Sequence, residues 1–155
     1  MKIVTFYNCD PKDAPKTTMP AHLGANAIIT CKGKLLLEKR RDSDIWGMVG
    51  GGCKKYETGR DAIARETYEE LGIRVNKDKF EKLAVYDNPG RIAAYRDGSI
   101  WRMVIVVYGY EFLEEPTLRI SSESKELRFF TKEEIGNIEI AVTHADIVQE
   151  QFLEK

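Results

Sequence analysis

The chain is poor in the features that mark an unusual partner or environment. Lys and Arg number 24 against 25 Asp and Glu, for a formal net charge of −1, so it lacks the basic excess that a nucleic-acid surface needs. No apolar run approaches the ~20 residues of a membrane span, and the opening MKIVTFY is too short for a secretory leader. The expectation is a cytoplasmic protein with neither nucleic acid nor membrane as partner. Cysteines are few: Cys9, Cys31 and Cys53 are odd in number, widely spaced and form no C-x-x-C pair. That excludes a disulfide framework and a structural zinc site and leaves free thiols. The two histidines, His22 and His144, are isolated and read as structural or surface residues.

What remains is an ordinary globular balance: 155 residues, 43% apolar and 32% charged. That length gives one domain, residues 1–155, with a core of its own, and residues 1–20 read as a peripheral strand and loop. A first strand is expected over Ile3–Tyr7. Asp10–Pro20 holds three of the five prolines and reads as a connection. The apolar run His22–Cys31, a turn at Lys32-Gly33 and the strand opened by Leu35-Leu36-Leu37 form a hairpin. Trp46-Gly47-Met48-Val49 is a short strand entering Gly50-Gly51-Gly52.

Thr58 is placed to cap a helix over Gly59–Leu71, with Asp61 three residues on and Gly72 at its end. At 100° per residue, Ala64, Tyr68 and Leu71 lie opposite Glu66. The expectation is therefore an apolar stripe on a sheet, with the helix carboxylates facing away. Lys82–Tyr86 is a strand, Tyr86–Ser99 a loop or hairpin, Trp101–Phe112 the central strand and Glu126–Phe130 another. Thr131 with Glu134 caps a short helix, and Thr143 is expected to cap a last one over Ala145–Leu153. Such an order gives an α/β or α+β domain with a mixed sheet.

The chemistry concentrates in one helix. Glu66, Glu69 and Glu70 stand at i, i+3 and i+4, so three carboxylates are neighbours on its surface. Like charges there weaken a bare helix by a few tenths of a kcal/mol per pair; a divalent cation reverses that sign. Oxygen ligands suit Mg²⁺, Mn²⁺ or Ca²⁺ rather than zinc. A solvated acidic face explains adjacent glutamates, but not the glycines, Glu57 and Arg65 alongside them.

Together Gly51, Glu57, Arg65, Glu66, Glu69, Glu70 and Gly72, closed by Ile73, resemble the motif of the Nudix hydrolase superfamily over residues 51–73. At ~7% usage per residue type, seven such matches arise about once in 10⁸ starting positions. The resemblance implies an α/β/α sandwich around a mixed β-sheet. It also implies metal-dependent hydrolysis of a diphosphate bond in a nucleoside diphosphate linked to another group, with Mg²⁺, or Mn²⁺, as cofactor. Glu66, Glu69 and Glu70 match the metal ligands, with a backbone carbonyl of Gly50 or Gly51 adding an oxygen. Glu57 and Arg65 match an ion pair that holds the glycine loop to the helix. A further carboxylate is expected before a late strand, at Glu123 or else Glu126, and the general base stays open between a motif glutamate and Glu123. A cation after the leucine strand contacts phosphate in similar proteins, and among Lys39, Arg40 and Arg41 we select Arg40. Trp46 either stacks on a base or packs the sheet edge, and Trp101 poses the same choice.

Val49, Lys54, Tyr56 and Thr67 depart from the family pattern without removing a ligand. Pro89, sixteen residues past Ile73, and the surrounding Asn88-Pro89-Gly90 resemble a mark of ADP-ribose pyrophosphatases, so an ADP-ribose-like substrate is favoured. The compact length also fits MutT-like nucleoside triphosphate pyrophosphohydrolases. Tyr86 and Tyr95 keep a dinucleoside polyphosphate open. A non-catalytic nucleotide-binding domain is the reading from another class, and the complete set of acidic residues speaks against it. An isomerase on this fold needs cysteine and glutamate positions that the sequence does not offer. Similar proteins are often homodimers.

Overall fold

A computed structural model describes residues 4–41 and 43–155. Among them, nine strands form a mixed sheet covered by helices on both faces, the α/β/α arrangement that the family resemblance implies. Its centre is a parallel pair, β2 (His22–Cys31) beside β8 (Ile100–Phe112), in register from His22 opposite Met103 to Cys31 opposite Phe112. Ala25, Ala27, Ile28 and Ile29 of β2 are all buried, so both of its faces are covered, which is why this stretch reads as mostly apolar rather than alternating.

On one flank, β2 turns into β3 (Lys34–Arg40) through Lys32 and Gly33, both at positive φ (50° and 79°), the backbone that a two-residue hairpin turn requires. β4 (Trp46–Gly47) and β9 (Ser124–Phe130) pair with β3, and β5 (Val49–Gly52) pairs with β2. On the other flank, β6 (Glu81–Tyr86) and β7 (Arg91–Tyr95) pair with successive parts of β8, and β1 (Val4–Asn8) closes that edge against β7. Ile3, where the sequence reading begins the first strand, lies outside the described residues. The stretch 86–99 is thus a hairpin that contains a true strand.

Helix α1 (Gly59–Leu71) is capped as expected. Thr58 accepts from the Asp61 backbone N–H, the Asp61 carboxylate accepts from that of Thr58, and Gly72 stops the helix at φ 75°. It packs over a core of Ala25, Ala27, Ile29, Leu36, Val49 and Phe80. The expected stripe needs correction. The fully buried positions of α1 are Ala62, Ile63, Thr67 and Leu71, while Ala64 and Tyr68 are half-buried. Thr67 sits in the core because its hydroxyl donates to the Ile63 carbonyl at 2.7 Å, satisfying its polar atom inside the helix. The opposite sheet face buries Ile28, Leu35, Leu37, Trp46, Ile105 and Phe130 under α2 (Lys132–Ile135) and α3 (Val142–Val148).

Thr131 and Glu134 form the expected capping box of α2, but Thr143 does not cap α3. That helix starts at Val142 with no side-chain cap and runs into a wide π turn over Gln149–Leu153. Its start is set by tertiary pairing: Trp46 donates to Glu139 and Ala141 donates back to Trp46, each at 2.9 Å. Thr143 lies inside the helix, its carbonyl accepting from the fully buried Arg91.

Candidate functional site

Glu66 and Glu70 of α1 turn towards the glycine strand rather than away from the sheet, which corrects the second half of the sequence expectation for those two, while Glu69 stays exposed. The approach depends on missing side chains. A Cβ at Gly51 would stand 2.7 Å from Glu66 Oε1, and one at Gly50, whose φ is 140°, would stand 2.2 Å from the Ala25 carbonyl oxygen. Only glycines let helix, loop and β2 come this close. Gly50 donates its N–H to Glu70 Oε2 at 2.9 Å.

Arg65 is the organising cation. Its guanidinium forks onto Glu57, with Nε to Oε2 at 2.7 Å and Nη2 to Oε1 at 2.9 Å, and Nη2 also donates to the Gly52 carbonyl at 3.0 Å. Nη1 reaches Glu66 at 2.9 Å and Glu69 at 3.2 Å. Arg65 thus clamps the loop to the helix, as its ion-pair reading holds, and also positions two of the three helix glutamates. Its guanidinium holds the Glu57 carboxyl down at about 2, helped by the Lys54 backbone N–H and opposed by partial burial.

The sequence reading missed a fourth carboxylate. Glu38 of β3 is 4% exposed and reaches Glu70: burial first, then the charge of Glu38 and a side-chain hydrogen bond with it, push the Glu70 carboxyl well above its usual range. Burial also raises Glu66. Ser124, buried at the start of β9, donates to Glu38 at 2.5 Å. The signal was present in Leu36-Leu37-Glu38, where alternation puts Glu38 on the same face as the buried Leu36.

Glu69 keeps 53% of its side chain exposed, against 15% for Glu66. Glu66, Glu69, Glu70 and Glu38 are therefore the groups that could hold a cation, with the Gly50 and Gly51 backbone beside them. Carboxylates desolvated together are unfavourable without a counter-charge, so the donor set fits a hard divalent ion. Among the described residues no three of these groups already stand in liganding geometry; Arg65 occupies Glu66 and Glu69 instead.

The remaining expected residues distribute as follows. Glu123 is exposed, and among the described residues no hydrogen bond or ion pair joins its carboxylate to the cluster; its carbonyl accepts from Arg41, and it is the neighbouring Ser124 that reaches inwards. Glu126 lies opposite Lys39 in the sheet. Arg40 ends β3 beyond a register shift, and its charge is felt at His144. Trp46 is core: it is 6% exposed and meets Phe130 edge-on at 4.7 Å, which leaves no face for a base. Trp101 meets His22 edge-on at 6.0 Å, and the His22 ring lies against bare Gly52. Burial raises the Cys53 thiol, so it stays protonated.

His144 takes the structural one of its two expected roles. Its Nδ1 accepts from the Met48 N–H at 3.0 Å, and burial together with nearby Arg91 depresses it to about 4, so the ring is neutral and structural. Asn88-Pro89-Gly90 is a brace: Asn88 donates to Asn8 and accepts from Arg91, and Gly90 lies so close to the Cys9 backbone that no Cβ fits.

The NUDIX domain model matches residues 20–151. The chain belongs to the Nudix family. Among Nudix relatives, a MutT-like protein of Streptomyces ambofaciens is 34% identical over 86 residues, 56% of this chain and 54% of that one. The match thus spans about half of that relative's length. A nucleoside triphosphatase NudI of an Enterobacter species is 25% identical over 96 residues, 61% of this chain and 67% of that one. A MutT NUDIX hydrolase of Burkholderia pseudomallei superposes with a TM-score of 0.65 at 27% identity, covering 87% of this chain and 98% of its own.

Proposed function

We propose that this Nudix domain hydrolyses a diphosphate linkage in a nucleoside diphosphate derivative, using a divalent cation at Glu66, Glu69, Glu70 and Glu38 with the Gly50 carbonyl beside them. The observation that carries the reading is the Glu70–Glu38 pair, two carboxylates desolvated together with Glu66 against a backbone kept bare by Gly50 and Gly51. When bound, the cation, Mg²⁺ or Mn²⁺, neutralises diphosphate charge and lowers the pKa of the attacking water. The residues supply position: Arg65 sets Glu66 and Glu69, Glu57 anchors Arg65, and in-line displacement depends chiefly on such positioning. Glu69, the most exposed of the helix set, is assigned to the reacting water. Arg40 is assigned to substrate phosphate, where a guanidinium forks onto two oxygens.

The ADP-ribose preference rested on Asn88-Pro89-Gly90, whose contacts are structural. A nucleoside triphosphate is accordingly the second reading, favoured by the likeness to a nucleoside triphosphatase.

The test is release of phosphate, with coupled phosphatase, from ADP-ribose, other nucleoside diphosphate sugars, normal and oxidised nucleoside triphosphates and dinucleoside polyphosphates, each with Mg²⁺ or Mn²⁺. Turnover is expected to need metal and to fall about 10²-fold or more in Glu69→Gln, with nucleotide binding kept. Binding without turnover across the panel would instead make this a nucleotide-binding domain.

A further inference from the structure

We propose that Tyr68, Arg74 and Arg119 form a clamp for a phosphate group, on the side of α1 next to the carboxylate site. A cleft of about 390 Å³ opens there, lined by Ala64, Arg65, Tyr68, Glu69, Arg74 and Val75. Arg74 lies on the Tyr68 ring, its Cζ 4.1 Å from the ring centre, and Arg119 approaches the same ring at 5.8 Å. Arg65, Arg91 and Arg128 each hold a carboxylate. Among the described residues no ion pair within 4.0 Å is formed by Arg74 or Arg119.

The placement of Arg119 is built in. Its N–H donates to the Leu71 carbonyl at 2.9 Å. A Cβ on Gly72 would stand 2.9 Å from Arg119 Cβ and 3.0 Å from its Nε, so the residue that stops the helix also makes room for the arginine.

Two guanidinium groups drawn to one aromatic ring repel each other, and an anion between them turns that repulsion into attraction. Phosphate is the anion that suits them, since each guanidinium can donate a fork of N–H groups to its oxygens while the tyrosine hydroxyl donates a third bond. Arg65 and Glu69 line the cleft as well as the carboxylate site, so the two are continuous. The phosphate belongs either to the substrate's own polyphosphate chain or to free inorganic phosphate. A purely structural role, two cations complementing the C-terminal end of α1, forecasts lost stability and no anion binding.

The first arm is calorimetric titration of the full chain with inorganic pyrophosphate under a chelator, where the acidic site has no cation with which to hold an anion. One saturable site is expected, weakened at least tenfold in R74Q/R119Q at unchanged Tm and weakened less in R74K/R119K, which keeps the charges without the forks. If the double variant melts early, R74Q alone is read, with an expected loss of about threefold or more. No saturable binding by wild type, or equal binding by the glutamine variants, overturns the clamp. The second arm rests on the hydrolase reading and compares KM for a nucleoside triphosphate and for ADP-ribose. A rise for the triphosphate alone in R74Q/R119Q identifies the substrate's terminal phosphate; unchanged KM values with lost pyrophosphate binding identify free phosphate. Failure of the hydrolase reading leaves the first arm intact.

Discussion

Arg65→Gln is expected to destabilise the fold by about 2–3 kcal/mol at pH 7, and most of that cost should disappear in acid. The magnitude follows from burial. Arg65 and Glu57 have side chains 20% and 17% exposed, between the surface pair worth about 0–1 kcal/mol and the buried pair whose breaking costs about 3–5. The substitution strands Glu57, Glu66 and Glu69 together and leaves the Gly52 carbonyl without its donor. The pH dependence follows from Glu57, whose carboxyl is held at about 2 against an ordinary 4.5. A depressed carboxyl contributes stability that is complete above its unfolded pKa and fades as pH falls through the folded one. In the variant Glu57 loses the larger part of that depression, so the difference from wild type should shrink towards pH 3, to under about 1 kcal/mol. Urea unfolding of both proteins at pH 7 and pH 3, without metal, measures it. An equal cost at both pH values would refute the electrostatic account and make Arg65 a packing residue. Arg65→Lys keeps the charge without the fork and should fall between the two.

Three further outcomes are expected. Gly51→Ala places a methyl group 2.7 Å from Glu66 Oε1; displacement of that carboxylate should cost about 1–3 kcal/mol and weaken Mn²⁺ binding, read by electron paramagnetic resonance. Glu38→Gln relieves the like-charge pressure on Glu70, so melting without metal should be unchanged or raised by about 1 kcal/mol, while the stabilisation that Mg²⁺ confers drops; a large loss of metal-free stability would count against a paired-carboxylate site. His144 is depressed to about 4 from 6.5, so the unfolded chain takes up its proton first. Its contribution is complete above about pH 6.5 and is lost as pH falls to about 4, on the order of 2–3 kcal/mol. Raised Glu66 and Glu70 titrate in the opposite sense, so the difference between wild type and His144→Gln across pH 4–7.5 isolates the effect, and a flat difference would show that His144 is not held neutral.

Much of this protein was legible along the chain because the causes are local. The boundaries of β2 and α1 match their sequence reading residue for residue, since a mostly apolar run, a Thr58–Asp61 box and a glycine stop are all near neighbours. The Glu57–Arg65 pair was legible for the same reason: helical spacing and one loop bring the two together. Where a partner is distant in sequence, the reading failed. Thr143 looked like a cap, but the start of α3 is fixed by Trp46 and Arg91 from two strands. β7 was read only as part of a loop or hairpin, and its first residue is an arginine that stays buried because Thr143, Asp146 and Asn88 satisfy it.

The candidate site divides in the same way. Residue types and spacing along 51–73 by themselves made three carboxylates neighbours on one helix and suited them to a hard cation, and the resemblance of that spacing to the Nudix motif implied the reaction class. Only the tertiary structure decided that Glu66 and Glu70 face the glycine strand, that Trp46 is core, that Ser124 rather than Glu123 reaches inwards, and that Glu38 joins Glu70. Helical periodicity fixes the neighbours of a side chain within one turn, but which face is buried, and what a strand 32 residues away in sequence places opposite it, depends on packing across the sheet.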